Sequence, residues 1–180
     1  LYNHRLQKWF RAMATKGCMQ KIKLPGVTET IFVPTPDFNV VYQLIHLFHH
    51  FFEEGVGMRQ MMDYYFLLTS EGHCLCCNQS LLRRFGLLRF AGAVMWVLGE
   101  TLGMKDDFMI VPANEKAGRN LLAEVIDGGN FGKYFMKYGK FSNKGIVKKY
   151  FLKIWRNMHF ISEYPFEALS EPLFRTWHFF

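Results

Sequence analysis

The sequence predicts a mainly α-helical domain, an irregular bundle of six to seven helices with one short β-hairpin near the N-terminus. Three observations predict this fold. Apolar residues recur at the i, i+3, i+4 and i+7 spacing of amphipathic helices over most of the chain. Capping residues, prolines and glycines stand where those patterns begin and end. Half of the 180 residues are hydrophobic and 17% are aromatic, which is enough for a single domain, residues 1–180, with a sizeable core.

The first elements are a helix and a hairpin. Asn3 is expected to cap the helix. The apolar face of this helix consists of Leu6, Trp9, Phe10 and Met13. Gln20–Leu24 and Thr28–Val33 flank Pro25-Gly26, so they predict two short strands joined by a turn.

Two central helices follow. Thr35 and Pro36 have the order of an N-cap and a first helical proline, and Gly55 supplies a left-handed end after Glu54. The core stripe of this helix consists of Val41, Leu44, Ile45, Phe48 and Phe52. The second helix is predicted over Met58–Leu68.

A long apolar helix is predicted from Ser80 to Leu102, ended by Gly103. Gly86, Gly92 and Gly99 lie on it and permit close approach of other helices, although glycine lowers its intrinsic stability.

Three further helices complete the prediction. Asn114 is expected to cap a helix over Glu115–Asp127, and the inward residues of that helix are Leu121, Leu122, Val125 and Ile126. Lys144–Met158 is predicted to be amphipathic. Its apolar side consists of Val147, Tyr150, Phe151, Ile154 and Met158. Pro165–Phe180 predicts a last short helix.

The composition favours a cytoplasmic protein. The best candidate membrane span, Phe85–Leu98, is interrupted by Arg89 and is too short for a bilayer, so no membrane association is expected. No signal peptide is visible in the polar, basic N-terminus. Four cysteines, three of them clustered, do not resemble a disulfide framework in a chain of this length. The start at Leu1 suggests a piece of a longer protein.

A cluster of polar side chains lies within 18 positions of the two central helices. Its members are His46, His49, His50, Glu53, Glu54, Arg59 and Asp63. His46 and His50 have the i, i+4 spacing that allows two imidazoles to share a metal ion. No third ligand is fixed by the spacing, although Glu53 or Asp63 is near in sequence, so no metal site is predicted. Contacts with a neighbouring helix or with solvent explain the histidines more simply.

Arg59 and Asp63 are also four residues apart, so they share a helix face. They could form an intrahelical ion pair, or a binding site in which Arg59, just after a glycine turn, meets a phosphate or a carboxylate. Structural bridging between helices is favoured over both. We expect the charged groups of the two helices to converge on one cleft.

The loop after the second helix contains a short cysteine-rich run. His73, Cys74, Cys76 and Cys77 lack the spacing of a zinc knuckle, and no second cysteine pair follows. Ordinary loop cysteines are therefore favoured over a zinc site.

The net charge of +7 is concentrated in one segment. Between Lys133 and Arg156 there are eight basic residues, including Lys148 and Lys149, and no acidic residue. Aromatic residues are interleaved with them, a combination that suits nucleotide or nucleic-acid binding because cations meet phosphates and rings stack on bases. A solvated basic helix face is the alternative.

Several catalytic signatures do not occur. The sequence contains no G-x-x-x-x-G-K-[ST], no G-x-G-x-x-G, no G-x-S-x-G and no Asp-x-Asp pair. Asp106 and Asp107 are adjacent, but they lie in a connector without the strand context of metal-dependent phosphoryl transfer. No catalytic residue is predicted.

The run VPTPDFNVVYQLIHLFHHFFEEGVGMRQMMDYYFLL resembles the signature of the uncharacterised nucleotidyltransferase family common in Bacteroidetes. NHRLQKWF near the start, GGNFGKY at Gly128–Tyr134 and YPFEALSEPLFRTWHFF at Tyr164–Phe180 agree with it, so the resemblance extends over most of the chain.

The resemblance implies a polymerase-β-like architecture, in which an N-terminal α/β domain holds divalent metal on strand-borne carboxylates. This sequence has no counterpart of those acids, so it is expected to be the helical C-terminal part, with the catalytic domain as a partner. Mg²⁺ is expected only where that domain is present. The implied function is nucleotide or acceptor recognition, with His46, His50, Arg59 and Asp63 as motif positions. The alternatives are a non-enzymatic helical interaction module and a metal hydrolase built on the two histidines.

Overall fold

A computed structural model describes residues 4–53, 55–70 and 79–128, together with residues 154, 155, 158, 160, 161, 164 and 165. In these residues it contains six α-helices and one antiparallel strand pair, which confirms the predicted mainly α fold with a hairpin near the N-terminus. The elements are α1 His4–Lys16, β1 Met19–Lys23, β2 Thr30–Pro34, α2 Pro36–Glu53, α3 Met58–Ser70, α4 Gln79–Phe85, α5 Leu88–Leu102 and α6 Glu115–Gly128.

Several sequence predictions fall outside the described residues. They are the cap at Asn3, the cysteine-rich run at His73–Cys77, all eight basic residues of the segment from Lys133 to Arg156, among them Lys148 and Lys149, and most of Pro165–Phe180. The end of the amphipathic helix Lys144–Met158 is described in part. There Ile154 is half-buried and Met158, one turn further along, is 43% exposed.

The hairpin forms one to two residues away from its predicted bounds. Met19 pairs with Pro34 at one end of the register and Lys23 pairs with Thr30 at the other. Gly26 takes a φ of 78° in the connecting turn, a left-handed conformation that favours glycine. Both strands are largely exposed, so the hairpin contributes little to the core.

Helix α2 is the centre of the core. It begins at Pro36, as predicted, and the backbone N–H of Gly55 (φ 88°) donates to the carbonyl of His50 at its end. The predicted stripe is buried in full, and three more α2 residues are buried with it. The buried residues are Val40, Val41, Leu44, Ile45, Leu47, Phe48, Phe51 and Phe52. Burial of so many large side chains makes α2 a major source of hydrophobic stabilisation.

Aromatic rings join α2 to distant parts of the chain. The ring centroid of Phe48 lies 4.9 Å from that of Phe90 on α5 and 5.5 Å from that of Tyr164. Phe51 lies 4.8 Å from Phe160. These edge-on and tilted contacts are the geometries that aromatic pairs prefer, so residues near 160 complete the core that α2 begins.

Helix α3 packs against α2 through a buried tyrosine. The hydroxyl of Tyr64 donates a 3.2 Å hydrogen bond to the carbonyl of Val40. Met61 and Leu68 are buried on the same helix. Because the hydroxyl reaches an α2 carbonyl inside the core, it fixes the position of α3 along α2.

The single long helix predicted from Ser80 to Leu102 is wrong, because the chain breaks at Gly86. Gly86 has a φ of 76°, which an α-helix cannot continue through. Its N–H donates to the carbonyl of Arg83, and the N–H of Leu87 donates to that of Leu82, the two hydrogen bonds of a Schellman motif. Helices α4 and α5 therefore meet at a bend of 118°. Among the described residues no single helix is long and apolar enough to cross a membrane, although this bent pair would be if its two helices are taken together.

Two glycines allow α5 and the segment from Pro112 to Gly118 to approach closely. A Cβ built on Gly118 would lie 2.7 Å from the Cβ of Trp96, and one built on Gly92 would lie 3.1 Å from the Cβ of Asn114. The N–H of Asn114 donates to the carbonyl of Gly92 at 2.9 Å. The distance at Gly118 is shorter than real Cβ contacts, so a larger residue there would force a shift, whereas the contact at Gly92 is tight.

Helix α6 starts at the predicted cap but is rotated relative to its predicted inward face. The side chain of Asn114 accepts a 3.0 Å hydrogen bond from the N–H of Ala117, as an N-cap does. The buried residues are Ala117, Gly118, Leu121 and Val125, while Leu122 is half-buried. Ile126, predicted to point inward, is 68% exposed. At about 100° per residue it lies about 140° around the helix from Leu121.

Replacement of Gly118 by alanine is expected to destabilise the protein by about 1–3 kcal/mol, because the new methyl group would overlap Trp96. Chemical denaturation would measure this change. A second series with Trp96→Ala tests the cause, since the loss should shrink when the indole is removed. A gain in stability for Gly118→Ala, as for an unpacked helical glycine, would contradict the packing.

Replacement of Asn114 by alanine should lower the free energy of unfolding by about 1 kcal/mol, because the N–H of Ala117 loses its acceptor. Asn114→Asp keeps an acceptor oxygen and adds a favourable charge at the helix N-terminus, so it should be at least as stable as the parent chain. Equal melting temperatures for the alanine and aspartate variants would show that the cap contributes nothing.

Candidate functional site

The imidazoles of His46 and His50 form a pair on the outward side of α2. Their Nε2 atoms lie 3.1 Å apart, and the ring centroids are separated by 4.4 Å with planes at 88°. His46 is exposed and His50 is half-buried. In the neutral pair one Nε2 carries a hydrogen and donates it, while the other accepts. The i, i+4 spacing in the sequence therefore becomes a direct contact.

A tyrosine that the sequence analysis did not select is part of this site. The ring of Tyr42 is stacked on that of His46, with centroids 6.2 Å apart and planes 8° apart. The series continues inward through Phe38, at 5.7 Å and 16° from Tyr42, to Trp9, at 5.4 Å and 9° from Phe38. The signal in the sequence is the repeat of planar side chains every four residues, from Phe38 to His50.

The pKa of His46 is held below its ordinary value of 6.5. Partial burial of the ring is the main cause, and the nearby charges of His50 and His49 when they are protonated add to it. The neutral form of His46 is therefore favoured at pH 7, and a neutral imidazole can accept a hydrogen bond or coordinate a cation.

The structure brings only two of the predicted motif residues into contact. Arg59 and Asp63 are both exposed on α3. Within the described parts of the chain, no hydrogen bond or ion pair joins them to each other or to the imidazoles of His46 and His50. The intrahelical ion pair that was one explanation of the Arg59–Asp63 spacing is therefore not formed.

Arg59 lies in the first turn of α3, directly after the turn formed by residues 55–57. The N–H of Gly57 donates a 2.8 Å hydrogen bond to the side-chain oxygen of Gln60, so this amide already has a partner. The guanidinium of Arg59 remains exposed, and it is a planar fork suited to phosphate or carboxylate.

For metal binding the site offers two ligands rather than three. Among the residues that the structure describes, no group of three or more His, Cys, Asp or Glu side chains is placed to hold an ion. His49 lies beside His50, with ring centroids 6.4 Å apart, and is half-buried.

A comparison with protein families shows what the chain is similar to. The model of a family described as uncharacterised nucleotidyltransferase matches residues 3–103, which is more than half of the chain. The match includes the elements from α1 to α5 and the four motif residues His46, His50, Arg59 and Asp63. Helix α6 and the basic segment lie beyond it. No curated protein and no solved structure matches the chain.

Replacement of His50 by glutamine is expected to raise the pKa of His46 toward 6.5, because the repulsion from a second imidazolium is removed. The imidazole resonances followed by NMR against pH, in the presence of a chelator, would measure the change. His4→Gln, on exposed α1, is the control and should leave the titration of His46 unchanged.

The lowered pKa of His46 also makes the stability of the folded protein depend on pH. In the unfolded chain His46 takes up its proton at a higher pH than in the folded chain. The contribution of His46 to the free energy of unfolding is therefore fully present above about pH 6.5, and it decreases as the pH falls through the folded-state pKa. An unchanged His46 titration in His50→Gln would show that the two rings do not interact in solution.

Proposed function

Since the chain belongs to the uncharacterised nucleotidyltransferase family, we propose that this helical part recognises the nucleotide or the acceptor and does not carry out the transfer by itself. The observation that carries the proposal is the family match over residues 3–103, in a sequence that contains no Asp-x-Asp pair. Phosphoryl transfer with two metal ions needs carboxylates in a defined geometry. A separate catalytic domain would supply these acids and the Mg²⁺. We also propose that the protein is cytoplasmic.

Arg59 is the proposed contact within the described residues. It is exposed in the first turn of α3, where the helix dipole also favours an anion. A guanidinium can bind two oxygens of one phosphate or carboxylate at once, which a lysine cannot do. Asp63, one turn further along α3, would bind a hydroxyl or an amine of the same molecule.

The basic segment is the second proposed contact. Its eight basic residues exceed the net charge of +7, so the remainder of the chain carries −1. A charge concentrated in this way favours a polyanion such as RNA, with Lys148 and Lys149 among the phosphate contacts.

A second candidate function is a helical module that binds another protein surface. Met62 and Phe66 are 42% and 57% exposed one turn apart on α3. Large apolar side chains on an outward helix face favour a protein partner, and the catalytic domain of the same family architecture would be such a partner.

Binding of nucleotides and short RNA should be salt-dependent and should weaken when Lys148 and Lys149 are both replaced by alanine. Fluorescence anisotropy at low and high salt would measure it. For single-stranded RNA, the loss of two phosphate contacts should reduce the slope of log affinity against log salt by about 1.4. Lys105→Ala with Lys116→Ala removes the same charge from exposed positions elsewhere and should have a smaller effect.

The role of Arg59 is tested in the same titrations. Arg59→Lys keeps the charge but loses the planar guanidinium that can bind two oxygens at once, so it should bind nearly as weakly as Arg59→Ala. Arg11→Ala, at an exposed position of α1, is the control and should bind as the parent chain does. If neither nucleotides nor RNA bind at low salt, the recognition proposal is wrong and the protein-binding module is favoured.

A further inference from the structure

The separation of the two Nε2 atoms matches the spacing of two ligands on one metal ion. Two nitrogens held about 2.0–2.1 Å from the same ion, at angles between those of octahedral and tetrahedral coordination, lie about 2.8–3.4 Å apart. The Nε2 atoms of His46 and His50 are 3.1 Å apart. The distance between the two nitrogens therefore already suits a shared ion.

We propose that His46 and His50 bind one divalent transition-metal ion of the zinc class, each through Nε2, with water molecules in the remaining positions. Imidazole nitrogen favours Zn²⁺, Ni²⁺ and Cu²⁺, whereas Mg²⁺ and Ca²⁺ favour oxygen. The site has two protein ligands among the described residues, so the ion would exchange freely and would keep open coordination positions.

The surroundings of the pair restrict its geometry before an ion arrives. Both histidines lie on α2, whose opposite side is buried from Val40 to Phe52, so the helix cannot rotate. The ring of Tyr42 is stacked on that of His46 and limits its side-chain rotation. A ligand pair that is already close loses less conformational entropy on binding, which increases affinity.

Ion binding would change the tautomer of one of the two imidazoles. The hydrogen bond between the two rings requires a hydrogen on one Nε2, but coordination at both Nε2 atoms requires both rings to carry their hydrogen on Nδ1. The ring that carries the hydrogen on Nε2 must therefore lose it and gain one at Nδ1. The exposed ring of His46 can do so by exchange with water, whereas the Nδ1 atom of His50 is buried. No net proton is released when both rings are neutral.

The test uses the full chain without an affinity tag. Titration calorimetry with Zn²⁺ and with Ni²⁺ should show saturable binding of one ion per chain, and Mg²⁺ should show none. The ¹⁵N resonances of two imidazoles, those of His46 and His50, should shift to the Nδ1–H form. His46→Gln and His50→Gln should each weaken binding at least about tenfold, equivalent to about 1.4 kcal/mol.

His49→Gln is the matched control, because it removes a neighbouring histidine of the same helix that is not part of the pair. It should bind Zn²⁺ as the parent chain does. Circular dichroism and melting would verify the fold of each variant. If the half-buried His50 does not tolerate replacement, the exposed His46→Gln and the spectra of the parent chain decide the result.

Three results would overturn the proposal: no saturable binding of Zn²⁺ to the parent chain, equal affinity in His46→Gln, or equal loss in His49→Gln. The inference is independent of the proposed function. Zinc titrations of the His46 and His50 variants and nucleotide titrations of the Lys148, Lys149 and Arg59 variants can therefore fail separately.

Discussion

The burial of one side of α2 is the constraint on which the rest of the described structure depends. Eight residues between Val40 and Phe52 are buried, and full burial of a large apolar side chain contributes about 1.5–3 kcal/mol each. Rings from α5 and from residues near 160 contact this side, so a rotation of α2 would break several aromatic contacts at once. Because the rotation of α2 is fixed, the outward position of Tyr42 and of the two imidazoles is fixed as well.

Glycines determine how the remaining helices surround this centre. Gly86 ends α4 in a left-handed conformation and turns the chain by 118°, so α5 passes through the core in a direction that one continuous helix could not take. On the far side of α5, Gly118 allows α6 to lie directly against Trp96. Gly86 supplies a backbone conformation, whereas Gly118 supplies space for Trp96. The sequence alone does not distinguish these two roles, because both residues are glycine.

The sequence was sufficient for features that depend on local chemistry. The start of α2 at Pro36, its buried stripe and the cap at Asn114 follow from caps and helical periodicity, and the structure confirms them. The break at Gly86 was missed because a helix tolerates an isolated glycine at a cost of about 1 kcal/mol, and only tertiary packing decides whether the chain bends there. The exposure of Ile126 was missed because the width of a buried stripe depends on the partner helix. The contact of His46 with His50 was accessible from their spacing. Whether these histidines also contact Arg59 depends on how α2 and α3 pack, and in the described residues no hydrogen bond or ion pair joins them.

The close packing of α5 and α6 affects where the chain can be cut without exposing its core. The family match ends at residue 103, at the left-handed Gly103 that ends α5, yet α5 is apolar on nearly every side and one of those sides is covered by α6. A fragment that stops at residue 103 would expose Trp96 and its neighbours to water, and an exposed apolar surface of this kind promotes aggregation. The end of the family match and the end of the packed helices therefore fall at different points along the chain.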